Sequence, residues 1–274
     1  MPESTPTFYN PPIVEFILGV QFSQIKGLSA AHFGRFWSQL GDDWTSPEDR
    51  PPIPDQFERF SGLSPLNSRP QLRLESSHPA GRIMLRNEEN DRLLQLQPTR
   101  LHLNWRKTEK QKPSYKQLIG EFESTLTEFS DFCSGMGLGD VSPNQWEVTY
   151  VDSFPRGEYW DTPEDWGKFL PGLFNLNPSE ASKHLTLERR QVDWSFEIGD
   201  ELGRLHISAG TGHHASTIDE TLLVNFTARG PLVPGKTETL RKGLDLGHEV
   251  SVRQFLGMVS EDTQARWAKG AVND

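Results

Sequence analysis

Five polar residues stand where the local pattern gives them a direction and where their types could do chemistry: Glu15, Asn104, Arg106, Glu147 and His248. Leu101–Arg106 alternates, so an extended chain puts Leu101, Leu103 and Trp105 on one face and Asn104 and Arg106 on the other. Arg106 could clamp a carboxylate or phosphate from that second face, or pair with an acidic neighbour such as Glu15. Glu15 and Glu147 each sit on the mixed face of an otherwise apolar strand. If those two strands lie side by side, a close carboxylate pair would share a proton or hold a cation. His248 falls on the apolar stripe of a C-terminal helix, the place of a buried histidine satisfied by one hydrogen bond, or of a ligand or base in a pocket. His213-His214, near Asp219 and Glu220, has metal-binding residue types. Adjacent side chains on an extended hairpin tip diverge, so a solvated turn is expected there and no metal.

Sequence motifs for phosphate loops, dinucleotide folds, serine hydrolases and zinc proteases are missing from the chain. No cofactor is expected. Gly135-Met-Gly-Leu-Gly139 ends a helix and does not join a strand to a helix start, so it is not a phosphate cradle. Cys133 is the single cysteine of 274 residues, which excludes an internal disulfide, and its place on a helical stripe makes it a buried apolar residue. A formal charge of −10 argues against nucleic acid as partner. The polar, Pro-rich start has no signal-peptide pattern and no apolar run reaches membrane length, so a cytoplasmic protein without membrane contact is expected.

Those residues need elements to hold them. Ile13–Phe22 alternates as a strand behind Pro11-Pro12, and Ser29 can cap a helix over Ala30–Leu40. Asp42–Pro70 is rich in proline and reads as a long irregular connection. Leu72 and Leu74 start a strand, and Gly81–Arg106 forms a hairpin around an Asn/Asp-rich tip. Pro113-Ser114 opens a helix whose Leu118, Phe122, Leu126, Phe129 and Cys133 recur at helical spacing. From Asn144 the order repeats: a strand with Trp146, Val148 and Tyr150 on one face, a short helix from Thr162-Pro163, strands over Leu187–Ile198, Gly203–Ala209 and Thr221–Thr227, and a helix over Thr237–Val259.

The expected fold is therefore α+β: a duplicated strand, helix, three strands, helix unit, with halves at 1–140 and 141–274 packed about a pseudo-twofold axis. Its antiparallel sheet is curved, with the helices on one face, in the manner of the TATA-binding protein or helix-grip folds. The expected matches are Glu15 with Glu147, Gly34 with Gly167, Arg82 with Arg204, and Asn104 with Asn225.

Pro11-Pro-Ile-Val-Glu15 with Gly19-Val-Gln-Phe22, then Leu103-Asn-Trp-Arg106 and Tyr115, and finally His248, Phe255 and Trp267 resemble a sporadically distributed, mostly bacterial protein family of uncharacterised function and about this length. The resemblance implies an accessory, defence or toxin-antitoxin-like setting. With it, the open sheet face and the Pro-rich connection are expected to hold a protein partner or a second copy in a non-catalytic, regulatory role. The alternative is a small-molecule binder or enzyme with a pocket between the sheet and its long helices.

Overall fold

The computed structural model describes Phe8 and residues 10–60, 81–110, 112–174, 187–213, 219–233 and 238–268. Within these the chain runs β1 (Ile13–Phe22), α1 (Ala30–Gln39), β2 (Trp44–Arg50), β3 (Arg82–Asn87), β4 (Arg92–Gln97), β5 (Arg100–Arg106), α2 (Tyr115–Gly135), β6 (Pro143–Pro155), α3 (Trp166–Phe169), β7 (Gln191–Ile198), β8 (Gly203–His213), β9 (Glu220–Pro231), α4 (Glu238–Met258) and α5 (Glu261–Ala268). The strands form one antiparallel sheet in the order β2-β3-β4-β5-β1-β6-β9-β8-β7, open and curved, with the helices on one face. The fold is α+β, as expected.

Alternation decides which face is covered. Phe16, Leu18 and Val20 of β1 lie opposite Trp105, Leu103 and Leu101 of β5 and opposite Tyr150, Val148 and Trp146 of β6, and all nine are buried under the helices. Each such side chain contributes about 1.5–3 kcal/mol by leaving water. Leu118, Phe122, Phe129 and Cys133 of α2 close over this face, and Ser114 caps that helix by a reciprocal bond with Gln117. Close approach of α4 depends on two glycines. A Cβ on Gly243 would stand 2.3 Å from Trp146 Cδ1, and one on Gly247 2.7 Å from Cζ3.

Two elements differ from expectation. The segment Asp42–Pro70 contains β2, which tolerates Pro47 because it is the outermost strand and one side of it needs no ladder partner. Leu93–Arg106, expected as one arm, is two strands reversed at Pro98-Thr99, with Gln97 opposite Arg100. The strand expected at Leu72 and Leu74 lies outside the described residues, as does His214 at the second tip. No helix among the described residues is long and apolar enough to cross a membrane.

Outward from the β1–β6 seam the order is β5, β4, β3 on one side and β9, β8, β7 on the other, with β2 added at the first edge. This symmetry supports an internal duplication but changes its matches. Glu15 faces Arg106 and Glu147 faces Arg229, so when Glu15 is matched to Glu147, Asn104 falls on Thr227 and His102 on Asn225. Arg82 lies on β3, whose counterpart is β7, whereas Arg204 lies on β8.

Candidate functional site

Residues 51–60 lie over the helix-free face of the sheet. Pro51, Pro52 and Pro54 keep this strap extended, and it is held by side chains, with no sheet ladder of its own. The Gln97 amide accepts from Ile53 N–H and donates to Ile53 O, both at 2.8 Å. Gln21 accepts from Gln56 N–H at 2.9 Å, and Gln145 from Glu58 N–H at 3.4 Å. The Glu58 carboxylate ends the strap and receives Arg204 Nη1 at 2.5 Å, His206 Nε2 at 2.8 Å and Arg229 Nε at 3.1 Å. Burial raises its pKa, but the bond to His206 and the charges of His206 and Arg229 win and hold it at about 2. Arg204 also covers the Phe60 ring at 5.0 Å.

Between strap and sheet is a chamber of about 520 Å³, largely open to solvent. Strand alternation supplies its floor. Arg82 Nη1 donates to Gln95 Oε1 at 2.8 Å, Gln95 Nε2 to Asn104 Oδ1 at 3.0 Å, and Asn104 Nδ2 to Glu15 Oε1 at 2.8 Å, a directed chain across β3, β4, β5 and β1. Beside it lie Arg100 and His102, each about 5 % exposed or less, and Glu147. Arg229 Nη1 is 3.2 Å from Glu147 Oε2, and Arg100 Nη1 3.8 Å from it. His102 has room because its strand neighbour is Gly19, where a Cβ would meet the imidazole at 2.6 Å. Ile17, Ile53, Met84 and Leu93 provide the apolar part of the lining.

The electrostatics are those of a partly buried, arginine-lined site. Burial lowers the His102 pKa to about 4, Glu147 opposing and Arg100, Arg82 and Arg229 adding to the shift, so the ring is neutral near pH 7. Burial also pushes Glu147 up, but His102, Arg100 and Arg229 together bring its carboxyl below the usual range. Burial lowers the pKa of Arg100 and Arg82 from the ordinary arginine value. Arg229 is shared between Glu147 and Glu58, whereas Arg82 is held by the neutral amide of Gln95. Arg82 Nε, Arg100 Nε and His102 Nε2 are buried without a hydrogen-bond partner. His102 Nε2 is 3.3 Å from Glu147 Oε1 but not aligned with it. An unmade buried bond costs about 1–3 kcal/mol, and three on one chamber wall leave its polar groups incompletely satisfied.

Of the five residues singled out by sequence, Glu15, Asn104 and Glu147 line this chamber. The two glutamates do not form a pair: Glu15 lies opposite Val151 and Glu147 opposite Gly19, four residues or about 13 Å apart along the seam. Arg106 lies across from Glu15 but reaches Asn90 Oδ1 at 3.4 Å and stands outside the lining. His248 is on the opposite, helix-covered side, bonded to Tyr150 OH at 2.5 Å and stacked on Tyr115 at 3.9 Å. Burial and Lys112 lower its pKa to about 4, and Tyr150 and Tyr115 beside it belong to or pack against the hydrophobic core. Among the described residues no group of His, Cys, Asp or Glu could hold a metal.

The sequence reading missed Arg82, Arg100, His102, Glu58, Arg204, His206 and Arg229. For two of them the signal was present: the alternation that turns Asn104 to this face also turns Arg100 and His102 there. Glu58 lies in an irregular segment, and its partners are 146 to 171 residues away. No known family matches the chain, and none of the curated proteins compared with it is significantly similar.

Proposed function

We propose that the protein binds a small organic anion, with a carboxylate or phosphate head and an apolar body, in the chamber between the helix-free sheet face and residues 51–60. The observation that carries this reading is the convergence of buried Arg100 and His102 with Arg82, each with an unpartnered nitrogen, on one chamber. An anionic head accepts from the free Arg82 and Arg100 nitrogens, and Ile17, Ile53, Met84 and Leu93 take the body. A volume of about 520 Å³ suits a ligand of metabolite size. On the open face, where a protein partner was expected from sequence, residues 53–60 are themselves held by Gln97, Gln21 and Gln145. The regulatory role implied by the resemblance would then consist of sensing such an anion.

Thermal unfolding with benzoate, octanoate and phenyl phosphate, each beside its neutral alcohol or phenol, tests this. At ten times its dissociation constant a true ligand adds about 1.4 kcal/mol, or ~3 °C or more in Tm. The anions are expected to raise Tm, the neutral analogues not, and R82M is expected to lose the response. Equal behaviour of anions and neutral analogues would overturn the reading.

A further inference from the structure

We propose that the groove under residues 53–60 recognises an acidic, extended peptide segment of a partner protein, and that the chain's own strap is its resident occupant. This rests on how the strap is held, independently of the chamber's ligand. The strap borrows no strand edge; its backbone is read by side-chain amides from three strands, Gln97 at Ile53, Gln21 at Gln56 and Gln145 at Glu58. Such contacts recognise an extended main chain and tolerate many side chains. One side chain is read strongly: Glu58, 6 % exposed, is enclosed by Arg204, His206 and Arg229. Between these fixed points the Phe57 side chain is 52 % exposed and unread. A backbone-reading groove ending in a carboxylate pocket is a peptide site, and a foreign segment with an acidic residue four positions after a proline, as Glu58 follows Pro54, presents the same groups. The tethered strap competes at a high effective concentration, so a partner gains access as the Glu58 contact is released.

The test uses the full chain, as wild type and E58Q, and a fluorescein-labelled peptide with the sequence of residues 51–60, followed by anisotropy. E58Q is expected to bind the peptide about tenfold more tightly than wild type, and a peptide with Gln in place of its Glu to bind E58Q about tenfold more weakly. On wild type, saturating unlabelled peptide is expected to speed hydrogen exchange at the Gln56 and Glu58 amides, a readout that does not depend on the variant folding. Equal affinity of both peptides, or unchanged exchange at those amides, would overturn the proposal. Self-association of E58Q in sedimentation, abolished by the peptide, would assign the groove to a second copy and overturn the partner reading.

Discussion

Glu58→Gln removes one charge at the point where the strap is fixed, and its effect can be worked from the structure. The carboxyl is held at about 2 against an ordinary 4.5, because His206 and Arg229 outweigh the burial that opposes them. At about 1.36 kcal/mol per pKa unit this sets a ceiling of about 3 kcal/mol. Water at the outer end of the strap screens part of it, so a loss of about 2 kcal/mol is expected, or ~4–8 °C in Tm. The folded-state pKa lies below the unfolded one. The stabilisation is therefore complete above pH 4.5 and lost as the pH falls toward 2. Urea denaturation of wild type and E58Q at pH 7, pH 4 and pH 3, followed by tryptophan fluorescence, should show a gap at pH 7 that has shrunk by more than half at pH 3. Equal midpoints at pH 7, or a gap of the same size at pH 3, would refute the assignment of Glu58 as an ionised anchor.

Gly19→Ala should displace His102, since the added Cβ meets the imidazole at 2.6 Å; a loss of about 1–3 kcal/mol and a weakened Tm response to benzoate are expected. Trp105→Ala and Phe226→Ala each truncate a ring that is 3 % exposed or less, and each should cost about 3–5 kcal/mol in urea denaturation. Cys133 is fully buried and burial pushes its thiol up to about 11, so an aromatic disulfide reagent should find no reactive thiol in the native protein and one in urea.

Patterns that are local were legible in the sequence. Ile13–Phe22 alternates and is β1; the helix that starts after Ser114 is α2, capped by that serine. The face of Glu15, Asn104 and Glu147 followed from period two alone. Register did not: alternation shows which face a glutamate takes, but not which residue lies opposite, and four residues along the seam separate a carboxylate pair from two independent groups. The match of Arg82 with Arg204 failed for a related reason, because similar short strings on adjacent strands carry no mark of strand order. The strap was read correctly as irregular but not as a wall of the site. Its contacts with Gln97, Gln21 and Gln145 join residues 35 to 87 positions apart, and no periodicity encodes where a proline-rich connection comes to rest.

The arginine Nε–H groups of the chamber would touch a bound anion first. In 15N-edited NMR of the full chain, with Arg82 and Arg100 assigned through R82K and R100K, titration with benzoate should move both Nε–H resonances along a saturable curve, while benzyl alcohol leaves them in place. Shifts confined to arginines outside the chamber, or no saturable shift at Arg82 and Arg100, would contradict the proposal that this chamber binds an organic anion.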